Sequence, residues 1–515
     1  MKLRFSNMKS TMWLMLLLIV PLQMLATELG EVGKRIATLP GVSRVETLKS
    51  TQFPEKYVCF IQQQLDAKDA TKGNFEQRVV VCHRGFDRPT VLVTEGYDAS
   101  YAMREGYIEE VSKLFNTNIV FVEYRYFDQS MPKPCNWDYL TVENSLYDLH
   151  HVNKTFHEMY KGKWIATGIS KGGQTTMFYR AFFPNDVDIS VPYVAPLNTA
   201  VEDGRHEKFL QYEVSTKENR QKVLNFQLLL FKRKAALLTL FEKYCNDRHY
   251  TFNAPLAEIF DFSVLEYSFA FWQWGEDIEK IPTNNATDQQ VFDYWIGICE
   301  PNYFSHQNRH ISFNVQAARE LGYYGYYTKP FKKYLSIKTA KGYLKRLMLP
   351  KDAADVKFSP ELYKRTVEYL THNDPKMVYI YGDLDPWGAS GVAGLPFTKN
   401  KTNLHVYVCK GGSHRARILS FPEPTRQEII NLIRGWLKEQ ATVAKMEPQV
   451  SRLYGCNQRY CLLCRIRIFG YRQSGQGFYQ DFDEINHVHD ASKITLATQR
   501  DFEALVICRY LGIVV

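Results

Sequence analysis

The sequence predicts an α/β protein built on a mainly parallel sheet, and three observations carry that expectation. Short apolar runs rich in β-branched residues recur at Val91–Val93, Ile119–Val122, Trp164–Ala166, Ile189–Val194, Val378–Ile380 and Leu404–Val408. Several of them lack the in/out alternation of a half-exposed strand, as expected of strands covered on both faces. Helical stretches lie between them, which implies crossover connections. The spacing is uneven, because residues 197–372 separate the fourth run from the fifth. Structureless loops beyond about 12–15 residues are foreign to compact domains, so this span is predicted to be a large, mainly helical cap inserted into the sheet protein. It holds a Leu-rich helical candidate, Lys217–Lys243, the aromatic stretch Tyr267–Trp274, and Tyr323–Tyr327. Trp272, Trp274 and, beyond the span, Trp387 are candidates to line a substrate pocket; packing between cap and sheet is the plainer role for such aromatics.

Composition agrees with a large folded enzyme. The chain has 515 residues, 45% of them apolar, with 8 Trp, 33 Tyr and 32 Phe. That is core material no disordered chain or small disulfide-stapled domain carries. A formal charge of +9 is mild at this length and gives no localised basic stripe, so nucleic acid is not expected as a partner. Residues 1–26 read as a signal peptide: Lys2, Arg4 and Lys9 precede the apolar run Met12–Leu22, and Ala26 offers a small residue for cleavage. The run is about half the ~20 apolar residues of a membrane span. A secreted or periplasmic protein without stable membrane association after cleavage is therefore expected, with Met8 an alternative start and an uncleaved anchor the alternative fate. The segment Pro424–Gln440 reads as a helix with Ile429, Ile430, Ile433 and Trp436 on one face and Thr425/Glu428 at capping-box spacing. Residues 441–515 form a tail of different character, rich in Arg and Cys, with no second Cys pair to complete a zinc site around Cys461 and Cys464.

The chemistry is carried by Gly168-Ile-Ser170-Lys-Gly-Gly173, which follows the strand at Trp164 and precedes a helical run. A G-x-S-x-G between strand and helix is the nucleophile elbow of α/β-hydrolases, a tight turn that lifts a serine hydroxyl above the sheet. That fold orders its site as Ser, then acid, then His. Downstream, Asp383-Leu-Asp385-Pro-Trp387 and Gly411-Gly-Ser-His414 each follow a strand, and such strand ends line one rim of a parallel sheet. Ser170, Asp385 and His414 are thus the candidate nucleophile, orienting acid and base, with Asp383 the rival acid. Backbone N–H groups of Lys171 and of the Gly96–Tyr97 loop are candidates for the oxyanion hole. Glu95 and Asp98 in that loop are candidates for a substrate amine. Serine chemistry of this kind needs no metal and no organic cofactor. Cys59 with Cys82, and Cys245 with Cys299, could bridge in an oxidising compartment, with free buried thiols the alternative.

Several blocks resemble a known family. Trp164–Gly173, Phe182–Asp188, Val191–Pro196, Phe60–Asp66, Thr90–Tyr97, Val122–Tyr126, Phe269–Gly275 and Asp383–Trp387 resemble the bacterial secreted tripeptidyl aminopeptidase family of serine peptidases. That family is similar in turn to the prolyl carboxypeptidase and dipeptidyl peptidase II family. The resemblance runs from about Gly41 to Gln440. It implies an α/β-hydrolase domain in two parts, 27–196 and 373–440, around the cap at 197–372. It also implies Ser170, Asp385 and His414 in the roles above, and peptide substrates cut from a free N-terminus with a leaning towards proline. Ile169 departs from the glycine common in related elbows. An esterase or lipase, or a catalytically silent binding protein on this fold, are the alternatives.

Overall fold

The computed structural model describes residues 29–439; the expected signal segment and the tail lie outside them. Nine strands are formed: β1 (Val42–Thr47), β2 (Glu55–Gln64), β3 (Asn74–His83), β4 (Thr90–Thr94), β5 (Asn118–Val122), β6 (Trp164–Ile169), β7 (Ile189–Tyr193), β8 (Met377–Gly382) and β9 (Leu404–Cys409). They make one sheet in the order β1-β2-β3-β5-β4-β6-β7-β8-β9. Pairings from β1 through β3 to β5 are antiparallel. Those from β5 to β9 are all parallel. The order reverses at β4, which makes the carboxyl ends of β4 and β6 the place where a crevice must open. This is the α/β-hydrolase arrangement that the sequence predicts.

The missing alternation has its explanation in the two layers on the sheet. Leu92, Val120, Ala166 and Tyr379 pack with Leu149, Met177 and Leu370 of the helices Val142–His157, Lys171–Phe182 and Glu361–His372 on one face. Val91, Ile119, Ile165 and Val378 pack with Val111 and with Ile429 and Ile433 of Glu423–Lys438 on the other. The latter helix buries the predicted stripe but begins at Glu423, so Thr425 lies inside its first turn instead of capping it. Pro424 suits that turn, where a missing N–H costs nothing.

Between β7 and β8 all the regular elements of the described chain are helices, and they pack on an apolar core that includes Phe226, Leu230, Phe241, Phe260 and Trp295. The span Lys217–Lys243 is two helices, Lys217–Lys232 and Lys234–Asp247, rather than one. At the break, Arg233 (ψ 12°) turns its guanidinium to the carbonyls of Asn284 and Ala286 and to Asp288. Among the described residues, no helix is long and apolar enough to cross a membrane.

The cysteine pairings are corrected. Cys59, Cys82, Cys245 and Cys299 are all free and buried. In the β2–β3 register Cys59 faces Val79 and Cys82 faces Lys56, and the two thiols enter the cores on opposite faces of the sheet. No side-chain motion bridges a sheet. Burial pushes the Cys59 and Cys82 thiols up to about 12, which keeps both protonated and inert.

One buried ion pair ties the parts together. Arg125, which follows β5, donates through Nε and Nη2 to Asp148 at 2.7 and 2.6 Å. Its remaining donors reach the carbonyls of Gln64, Leu65 and Tyr139. Removing the carboxylate strands a fully buried cation, so Asp148→Ala should lower stability by about 3–5 kcal/mol, seen as a drop in urea midpoint.

Candidate active site

Ser170 ends β6 and opens the helix Lys171–Phe182 with φ 59° and ψ −119°, a conformation that L residues rarely adopt. Its N–H is held by the Tyr193 carbonyl at 2.9 Å. The turn closes only because Gly168 has no Cβ, which would overlap the backbone of Gly172. Ile169, by contrast, sits where a side chain has room at the cavity wall.

The loop after β4 comes against the first turn of that helix. A Cβ on Gly96 would lie 2.7 Å from Lys171 Cβ and 2.8 Å from Gly172 N. The Gly96 carbonyl accepts from Lys171 Nζ at 2.7 Å, and the Gly96 N–H turns to the Glu95 carboxylate. The Tyr97 N–H donates to no backbone carbonyl among the described residues, and the Lys171 N–H is the first of its helix. The loop is pinned further along, where Ala99 N–H donates to buried Glu123 at 2.8 Å. Burial raises the Tyr97 phenol, and the neighbouring Ser170 hydroxyl pulls it back.

Lys171 is 1% exposed, with Nζ 3.1 Å from the centroid of the Tyr124 ring. Burial holds its ammonium well below the usual lysine range, against the pull of Glu95 and Glu320. Glu95 is pushed up to about 7 by burial; the Tyr101 hydroxyl donates to it at 2.6 Å.

On the other side, the loops after β8 and β9 meet. His414 Nδ1 lies 2.7 Å from Asp385 Oδ2, with both side chains buried. Asp385 Oδ1 accepts from Trp387 N–H at 3.1 Å. Asp383 is turned away and accepts from Gly411 N–H at 2.7 Å. The His414 N–H donates to Gln273 O, so the helical insertion itself holds the histidine loop. His414 Nε2 is buried without a partner among the described residues. His206 holds the acid loop from the insertion side: Nδ1 meets Pro386 O and Nε2 meets Asn198 Oδ1, each at 2.9 Å.

Ser170 and His414 line one cavity of about 650 Å³, bounded by the sheet rim below and the helix Leu256–Trp274 above. The sequence candidates divide there. Glu95, Tyr97, Lys171, Trp274 and Trp387 line it. Trp274 stands edge-on to His414 at 6.1 Å and is 39% exposed. Trp272 points the other way, into a separate cavity of about 440 Å³ inside the insertion. Asp98 does not line the cavity; its carboxylate accepts from Ser100 N–H at 2.9 Å. The cavity also exposes residues that sequence reasoning missed. They are Gln174 and Ser263, each with a buried polar atom lacking a partner, and Glu266. Glu266 is pushed up to about 7 by burial and accepts from Tyr324 at 2.9 Å and Tyr326 at 2.7 Å. The available signal was the one carboxylate in the largely apolar run Phe262–Phe271.

The chain matches the family model of PS-10 peptidase S37 over residues 27–452. It belongs to the PS-10 peptidase S37 family. It is a serine peptidase of the α/β-hydrolase fold. Among relatives of this peptidase, a prolyl tri/tetrapeptidyl aminopeptidase of Streptomyces mobaraensis is 28% identical over 421 residues, covering 79% of this chain and 85% of the relative. A probable serine protease of Arabidopsis thaliana, EDA2, is 26% identical over 117 residues, 20% of this chain and 24% of the relative. Of solved structures, a proline iminopeptidase of Mycobacterium smegmatis is 12% identical with a TM-score of 0.36, covering 76% of this chain and 99% of that one.

Burial holds the His206 imidazole down at about 4, from 6.5. The unfolded chain takes up a proton near pH 6.5 that the folded chain refuses until about 4, so stability falls as pH drops through that window. The loss should approach about 3 kcal/mol. His206→Gln should flatten the dependence of melting temperature on pH between 6.5 and 4.

Proposed function

We propose that this peptidase is an exported aminopeptidase that releases short peptides, tripeptides among them, from the free N-terminus of its substrates through an acyl-enzyme on Ser170. The observation that carries it is the buried His414–Asp385 hydrogen bond at 2.7 Å, on the cavity that Ser170 lines. The tri/tetrapeptidyl specificity named for the Streptomyces relative, with its prolyl preference, supports the substrate class. Export is read from the leader at residues 1–26.

In this mechanism Asp385 fixes the His414 tautomer with the proton on Nδ1, leaving Nε2 as base. Its buried Nε2, unpartnered among the described residues, suits that task. Ser170 Oγ attacks the scissile carbonyl and its proton passes to Nε2. The carbonyl π electrons move to the oxygen, which the N–H groups of Lys171 and Tyr97 receive. Collapse expels the amine, which takes the proton from His414. Water then repeats the sequence on the acyl-enzyme and frees the peptide.

Lys171 serves the oxyanion hole twice. Its own N–H is one donor. Its Nζ holds the Gly96 carbonyl, and in a planar trans peptide the Tyr97 N–H must then point the opposite way. The side chain is a positioning group for the second donor.

Ser170→Ala should abolish hydrolysis of a tripeptidyl anilide while leaving the melting temperature near that of the parent; retained turnover would reject the nucleophile. Asp385→Asn should cost about 10,000-fold in kcat by spoiling the tautomer. Asp383→Asn, whose amide oxygen can still accept from Gly411 N–H, should stay within about tenfold.

A further inference from the structure

Glu266 is a buried carboxyl group to which no cation is paired among the described residues. It is 7% exposed and lies on the cavity wall formed by the helix Leu256–Trp274. Its hydrogen-bond partners are the neutral hydroxyls of Tyr324 and Tyr326, and among the described residues no Lys, Arg or His pairs with it. A buried carboxylate costs free energy unless a positive group is brought to it. Its neighbours are aromatic: Tyr324 stacks on Phe269 at 3.7 Å and on Tyr323 at 4.4 Å.

Three residues earlier, hence on the same face of the helix, Ser263 also lines the cavity. Its side chain is 1% exposed, and its Oγ has no hydrogen-bond partner. A carboxyl group lacking a cation and a hydroxyl lacking a partner among the described residues therefore line the same cavity as Ser170.

We propose that Glu266 and Ser263 form the subsite for the α-ammonium group of the substrate N-terminus. This rests on reading the cavity as a peptidase site. The ammonium supplies the missing charge and three donors; the Glu266 oxygens and the Ser263 lone pairs accept them. An acylated N-terminus brings neither charge nor donors enough, and adds bulk.

Glu95, the other carboxylate on the cavity, is a poorer anchor. It already has the Tyr101 hydroxyl and the Gly96 N–H as partners, lies near Lys171, and adjoins the candidate oxyanion donors. The acyl carbonyl must lie there, and the amine of a tripeptide is roughly 10 Å away when extended. With the amine held on the insertion and the carbonyl on the sheet, the span of the cavity sets how many residues are released.

The test compares the parent, Glu266→Gln and Ser263→Ala on one tripeptidyl anilide, with its N-terminus free or acetylated. Phosphonate labelling of Ser170 monitors the fold and the nucleophile. Glu266→Gln should lose between about 10- and 100-fold in kcat/KM on the free peptide, mostly through KM. It should keep parental activity on the acetylated peptide and the parental labelling rate. Ser263→Ala should show a smaller loss with the same selectivity. A parental ratio of free to acetylated rates in Glu266→Gln overturns the subsite. If that variant fails to label, an unchanged ratio in Ser263→Ala overturns it instead. Either result in an enzyme that Ser170→Ala inactivates leaves the peptidase reading standing, whereas turnover by Ser170→Ala removes that reading itself.

Discussion

A serine held at φ 59° between a buried strand and a buried helix is the constraint on which the rest of the site depends. Such a backbone persists only when its surroundings over-determine it. Here the surroundings are other backbones. Tyr193 O takes the Ser170 N–H, Gly168 lets Gly172 approach, and Gly96 lets the loop after β4 close on the helix start. Thr94 joins the two segments, with Oγ1 within 3.1 Å of Gly172 O and 2.6 Å of Thr176 Oγ1. The sheet order makes this possible, because β4 and β6 are neighbours at the point where the order reverses.

The helical insertion is part of the site. It binds the histidine loop through Gln273 O and the acid loop through His206, so the two loops after β8 and β9 are fixed from above as well as from the sheet. Its helix Leu256–Trp274 is buried nearly all round, since it divides two cavities. Ser263, Glu266, Ala270 and Gln273 face one cavity, and Leu265, Ser268 and Trp272 the other. A helix lining space on both sides needs no single apolar stripe, and its sequence shows none.

What could be read in the sequence follows from the range of the physics involved. That Ser170, Asp385 and His414 would lie at one rim could be read because each comes shortly after a strand, and strand ends of a parallel sheet converge without knowledge of the packing. The choice between Asp383 and Asp385 turns on Pro386 and Trp387, which set a local turn, and the structure brings Asp385 to His414. Contacts made by distant segments were out of reach. The break at Arg233 is decided by carbonyls some fifty positions away. The pairing of Cys59 with Cys82 looked sound from neighbouring strands, yet the register parity sends the two thiols to opposite faces. Trp272 and Trp274 are two residues apart on a helix and so point to different cavities, which a shared aromatic run conceals. Glu266 escaped notice because one carboxylate in the run Phe262–Phe271 has no local pattern; only the fold shows that, among the described residues, no Lys, Arg or His pairs with it.

The two carboxylates on the cavity, Glu95 and Glu266, show how similar burial leads to different chemistry. Burial raises both to about 7, yet their partners differ. Glu95 accepts from the Tyr101 hydroxyl and lies near Lys171, whose Nζ clamps the Gly96–Tyr97 peptide. Glu266 has only phenols, which can orient a carboxylate but cannot neutralise it. In the proposed mechanism the first sits beside the oxyanion donors, so its charge state would bear on the chemical step. The second remains open to a cation from outside, and its charge state bears on binding. A site built this way separates the recognition of a chain end from the chemistry on the bond beyond it, with the helical insertion carrying one and the sheet rim the other.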